Sequence, residues 1–169
     1  NEYILYAVAD HPYYQQFAGN PRVQVRPVLS GNGLARNFIA LPKAVSQDAP
    51  DLVHFQFILP WFVRSPVVLA VHDIYYSHLA KPSFYERVLA QLTVWSAQRA
   101  DGIVTLSEYS RQDIITRCRI KPERITFIPG GVGKRFAPVT DEVRHQSLCR
   151  KLGIHRDYIL FLGRTEDRR

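Results

Sequence analysis

Short apolar runs punctuate the chain at Tyr3 to Val8, Val23 to Val28, Leu52 to Phe55, Val67 to Val71, Gly102 to Leu106, Ile125 to Ile128 and Tyr158 to Leu162. Several are continuous, not alternating, which suits strands covered on both faces of a parallel sheet. Between them the apolar period changes. Phe84, Val88, Leu92 and Trp95 recur at helical spacing and predict one buried stripe on a helix from about Ser83 to Arg99. Ser83 and Glu86 stand as a capping box at its start. A second helix is predicted after Ser107, with Ser107 or Ser110 as N-cap and Ile114, Ile115 and Cys118 as its apolar side. A third runs from Val143 to Leu152 and stops at Gly153. Pro129 to Thr140, rich in Gly and Pro, reads as a loop or linker. Strands alternating with helices imply right-handed crossovers and an α/β fold, a Rossmann-like doubly wound parallel sheet.

Composition narrows the class only a little. The chain has 169 residues, 46% hydrophobic and 22% charged, as expected of a globular protein with a real core. No run reaches the length of a membrane span, and no basic-then-apolar leader opens the chain. Its first residue is Asn1, not Met, so the expectation is a fragment. The net charge of +7 favours anionic partners such as nucleotide phosphates or anionic lipid headgroups, against the plain alternative of solvated basic residues. No helix carries a basic stripe, which ranks nucleic acid last among partners. Cys118 and Cys149 have neither CxxC nor metal spacing. Cys118 reads as a core thiol, and the absence of a disulfide framework points to a reducing cytoplasm.

Candidate chemistry sits where strands end. Val67 to Val71 delivers His72 to the carboxyl edge of the sheet, where an imidazole can donate to a sugar hydroxyl or carbonyl, or else bond a nearby backbone group. Asp73 either orients that ring or caps the next turn, and capping is the simpler reading. Ser107 and Glu108 open a helix after a strand, so their backbone N–H groups face an anionic or hydroxyl-rich ligand; an ordinary N-cap explains them equally. Gly130 and Gly131 lack phosphate-loop spacing and read better as a hinge. Arg164, at the end of the last run, could offer a guanidinium fork to a diphosphate or belong to a solvated basic tail.

Taken in order, Asp51-Leu52-Val53-His54, Val71-His72-Asp73-Ile74, the run Ala100 to Ser110, Pro122 to Pro129 and Tyr158 to Arg164 resemble the N-terminal half of the family 4 retaining glycosyltransferases, which have the GT-B fold. The resemblance implies a nucleoside diphosphate-sugar donor bound between two Rossmann-like domains, and a glycan or lipid-linked acceptor. It implies His72 at the donor sugar near the reacting carbon, and Asp73, Ser107, Glu108, Gly130 and Gly131 at the substrate. Arg164 would lie on the donor diphosphate, with no metal and no cofactor. It further implies an acceptor-side domain at 1–136, with 137–169 as linker, helix and first strand of a truncated donor-binding domain. A cytoplasmic site is implied, with a peripheral encounter at the inner face of the plasma membrane.

Three departures accompany the match. The opening Asn1 to Tyr6 resembles the family's second strand, so the first βα unit is expected to be lacking. The family's Asn-Gly-Val-Asp stands here as Gly130-Gly131-Val132-Gly133, and its phosphate-binding lysine would follow Arg169. The chain alone is therefore expected to be inactive. The alternative is a Rossmann-like module that binds a nucleotide or protein without catalysis.

Overall fold

The computed structural model describes residues 1–8, 12–17, 19–28, 33–133, 136–138 and 140–161. It divides into two units, Asn1–Gly130 and Gly131–Arg169. Among its described residues the first holds six strands, all in parallel pairings. β1 (Tyr3–Val8) pairs with β2 (Val23–Val28) over six residues, from Tyr3 opposite Val23 to Val8 opposite Val28. β3 (Val53–Gln56), β4 (Val67–Ala70), β5 (Gly102–Thr105) and β6 (Ile125–Phe127) form a second sheet in that spatial order. The parallel α/β architecture, Rossmann-like in its strand–helix alternation, thus matches the sequence pattern, with the strands shared between two hydrogen-bonded sheets.

Helical segments connect them. Gly33–Ala35 (α1) runs through a π-helical turn, Arg36–Ala40, into α2 (Leu41–Asp48). Asp48 ion-pairs with Arg26 of β2 and accepts the Tyr6 hydroxyl of β1 at 2.8 Å, tying α2 to the first sheet. α3 (Phe84–Arg99) links β4 to β5, and α4 (Glu108–Cys118) links β5 to β6. Leu69, Val71, Ala97, Ala100, Ile103, Ile114, Cys118 and Ile125 close the core between sheet and helices.

Some of the ordered sequence signals turn out to be staples at the amino edge of the sheet. The Asp101 carboxylate accepts the Val67 N–H at 2.7 Å and fixes the start of β4. Arg124 donates to the Gln98 and Ala100 carbonyls, and Arg111 donates to the Ile125 and Pro122 carbonyls at 3.2 Å each. The aspartate satisfies a backbone donor and the two arginines satisfy backbone acceptors at the ends of these elements.

Two expectations are corrected. The stripe of Phe84, Val88, Leu92 and Trp95 is the buried side of α3 only in part: Phe84 is 84% exposed and Val88 is exposed as well, whereas Leu92 is half-buried and Trp95 packs against the core. The helix instead turns Thr93, Ser96 and Ala97 to the sheet. These small residues permit close approach, and Ser96 Oγ meets its polar needs by donating to Leu92 O at 2.6 Å and accepting Leu59 N–H at 2.9 Å. The second correction concerns Tyr158 to Leu162. Tyr158–Phe161 form no strand and Ile159 is fully exposed, while Leu162 lies outside the described residues. A strand needs a neighbour to take its N–H and C=O groups, and the described residues of its unit supply none. That unit is built on α5 (Glu142–Lys151), capped by Asp141 and closed by Gly153 at φ +69°.

Candidate functional site

Parallel strands present their carboxyl ends on one edge. The register aligns Gln56 with Ala70, Ala70 with Val104, and Val104 with Thr126. Residues just beyond these positions therefore gather at one rim, the edge where open α/β sheets bind ligands. His72 follows β4 there, Ser107 follows β5 and Gly130 follows β6.

His72 is half-buried at this rim. Its backbone carbonyl accepts the Thr105 hydroxyl of β5 at 3.4 Å, and Val71 N–H reaches Val104 O at 2.9 Å. The side-chain nitrogen of Gln56 lies 2.6 Å from His72 Nε2. An amide NH2 only donates, so Nε2 accepts and the ring hydrogen sits on Nδ1. Nδ1 is buried and has no hydrogen-bond partner among the described residues. A buried donor left in that state costs about 1–3 kcal/mol, which a sugar hydroxyl or phosphate oxygen would recover.

Phe57 frames the ring from the side. Its centroid is 5.3 Å from that of His72, edge to face at 88°. Its backbone is left-handed at φ 59°, a conformation that is strained for an aromatic residue. The bonds Phe57 N–H to Ala70 O at 2.9 Å and Ile58 N–H to Gln56 O at 2.7 Å hold it there. Gln56 and Phe57 were not among the sequence candidates. Gln56 had one legible signal, a polar residue at the carboxyl end of an apolar strand; the φ of Phe57 had none.

The other candidates fall out as follows. Asp73 accepts the Tyr75 N–H at 3.0 Å, at the start of the short 3-10 turn Tyr75–His78, and bonds neither His72 ring nitrogen. Ser107 is the N-cap of α4, accepting Ser110 N–H at 3.0 Å and donating to Ser110 Oγ at 2.9 Å. Glu108 is exposed and turned along its own helix. The Gln112 amide at 2.8 Å, and then Arg111 at 3.1 Å, hold its carboxyl below the ordinary carboxylate value. It is therefore ionised at neutral pH and can accept a hydroxyl, but it cannot serve as a general acid. Gly130 and Gly131 are exposed, and a Cβ would meet nothing at either, so neither glycine is demanded by close packing. The boundary between the two units falls between them. Arg164 lies outside the described residues. Among the described residues, no cluster of three His, Cys, Asp or Glu side chains could hold a metal ion, and no helix is long and apolar enough to cross a membrane.

Comparison with known proteins gives the family. The serotype-specific mannosyltransferase WbdA of Escherichia coli is 31% identical over 93 residues, which cover 54% of this chain. Two further WbdA sequences from the same organism align with the same identity and length. The alignment spans only 11% of WbdA itself. The model of Glycosyltransferase Family 4 matches residues 3–134, most of the chain, and on that ground the chain belongs to glycosyltransferase family 4.

Proposed function

We propose that the protein to which this chain belongs transfers a sugar from a nucleoside diphosphate-sugar to a glycan or lipid-linked acceptor, with retention, in the assembly of a cell-surface polysaccharide. Residues 1–136 would form its acceptor-side domain, and 137–169 would lead into the donor-binding domain. The likeness to WbdA favours a mannosyl donor. The observation that carries the reading is the His72 ring: one nitrogen is fixed by Gln56, and the other is a buried donor without a partner among the described residues, at the carboxyl rim of a parallel sheet. Such a ring is pre-oriented to bond a sugar oxygen beside the reacting carbon. Transfer with retention leaves the nucleoside diphosphate as leaving group, and positive charge at that phosphate is the role proposed for Arg164. The amino terminus of α4, at Ser107 and Glu108, supports the reading as a surface for hydroxyl groups.

The test uses the full-length protein and its His72→Ala variant, assayed with GDP-mannose and a panel of glycan and lipid-linked acceptors. Loss of turnover by about a hundredfold or more is expected, the lower range for removing one positioned catalytic hydrogen bond. Unimpaired turnover in the variant would take His72 out of the site. Donor binding by calorimetry without transfer to any acceptor would favour a binding module instead.

A further inference from the structure

The turn Tyr75–His78 is held at its two ends by different means. Before it, Ile74 is buried in the core, and its carbonyl accepts the Ser77 N–H at 2.8 Å. The far end is held by two side chains of α4. His78 Nε2 lies 2.5 Å from Asp113 Oδ2, and Arg117 Nη2 lies 3.2 Å from His78 Nδ1. Arg117 also donates to Asp113 Oδ1 at 2.8 Å and to the Ser77 carbonyl at 3.4 Å. A guanidinium only donates, so Nδ1 accepts, and the ring hydrogen on Nε2 goes to Asp113. His78 is therefore a neutral ring with both nitrogens bonded, in the tautomer opposite to that of His72. The transferase reading uses none of these groups.

We propose that His78 is a pH-sensitive latch, which takes a second proton from solvent at Nδ1 and thereby lets go of Arg117 and of the turn. The new N–H would point at the Arg117 guanidinium, donor against donor and cation against cation. Turning the ring over gives no escape, because an imidazolium carries N–H on both nitrogens. Asp113 favours the protonated ring and keeps its hold on Nε2, so the group that must move is Arg117. The Arg117 side chain is 44% exposed against 16% for Asp113, and its guanidinium can swing towards water. In that movement the Ser77 carbonyl loses its donor, and the turn loses its tie to α4. α3 also packs on the turn, but its charges are spent elsewhere. Glu86 bonds Ser83, Arg87 the Pro82 carbonyl and Arg99 the Trp61 carbonyl, while Tyr85 is exposed. On the loop itself Asp73 holds the Tyr75 N–H, the Tyr75 and Tyr76 rings pack together at 5.7 Å, and Lys81 is exposed. Histidine is the side chain suited to such a switch near neutral pH.

The latch does not depend on the transferase reading, because it is measured without turnover. The experiment follows the full-length protein, labelled with nitrogen-15 histidine, from about pH 8 to about pH 5. Ring spectra report the state of His78, and hydrogen exchange of the segment 75–79, expressed as protection to remove the pH dependence of exchange itself, reports the turn. At the alkaline end His78 is expected as the Nε2–H tautomer. As the ring gains its second proton, protection should fall about tenfold, the worth of a hydrogen bond to a charged group. In Arg117→Leu protection should be low throughout, and the ring should take its proton at higher pH than in the parent. Asp113→Asn should move ring protonation and release together to lower pH. His78→Gln keeps a donor for Asp113 and an oxygen for Arg117 but has no proton to gain, so its protection should not change with pH. Circular dichroism establishes that each variant is folded. An Nδ1–H tautomer at the alkaline end, a ring that stays neutral throughout, or protection that holds while the ring protonates overturns the proposal. So does an acid loss of protection in His78→Gln equal to that of the parent.

Discussion

The ring of His72 is set by a neighbour at the end of the adjacent strand, sixteen residues away in sequence, the amide of Gln56. Replacing that side chain with a shorter hydrocarbon leaves the backbone ladder between β3 and β4 intact, because the Gln56 side chain takes no part in it. In Gln56→Leu, Nε2 loses its donor and the preference for an Nδ1 hydrogen goes with it. Nitrogen-15 spectra of the histidine rings should show His72 held as the Nδ1–H tautomer in the parent chain and as a mixture in the variant. An unchanged tautomer would mean that Gln56 does not orient the ring. The strand-end position of His72 was legible because an apolar run stops at it. Asp73 and Ser107 were legible as turn or helix starters for the same reason: short polar residues after a strand have backbone donors to satisfy. Phe57 was not, since a left-handed backbone at an aromatic residue leaves no trace in hydropathy.

Among the elements, α3 separates what pattern can convey from what it cannot. Its start was written in Ser83 and Glu86, and both halves of the capping box form: Glu86 N–H to Ser83 Oγ at 3.3 Å and Ser83 N–H to Glu86 Oε2 at 2.7 Å. Its orientation was not, because periodicity reports an apolar side without saying whether sheet, lipid or partner covers it. The strand predicted at Tyr158 failed for a related reason. An apolar run becomes a strand only beside another edge, and that edge is a property of the tertiary fold. Ser83→Ala should destabilise the first unit by about 1 kcal/mol in urea unfolding, the usual worth of an N-cap hydroxyl. The Ser83 side chain, and then its backbone N–H, hold the Glu86 carboxyl below its ordinary value of 4.5. A depressed carboxylate stabilises the folded state above its unfolded pKa and loses that contribution as pH falls through the folded one. Glu86→Gln should therefore be less stable than the parent at pH 7, and the difference should shrink below about pH 4.5. A difference that persists into strong acid would assign the effect to packing and not to charge.

Over the whole molecule, the two units carry one cysteine each, and the thiols report on them separately. Cys118 is fully buried against Ile114, Ile120 and Ile125 in the core of Asn1–Gly130, and burial, with Asp113 as the lesser cause, pushes its thiol up to about 11. Thiolate is the nucleophile, so at neutral pH Cys118 is both inaccessible and protonated. Cys149 is half-buried on α5 with its sulfur 3.5 Å from His145 Nε2. A small thiol reagent at pH 7.5 should label Cys149 in the native protein and leave Cys118 intact until urea opens the first unit. The rate at Cys118 then measures the free energy of that opening. The same burial makes stability pH-dependent on the alkaline side. The unfolded thiol ionises near 9.0 and the folded one only at about 11, so Cys118's contribution is complete below pH 9 and is lost as pH rises through that window. Cys118→Ala should flatten this part of the alkaline stability curve while lowering stability at pH 7 through the cavity it leaves. Rapid native labelling at Cys118 would show that the sheet–helix core of the first unit is not closed over this residue.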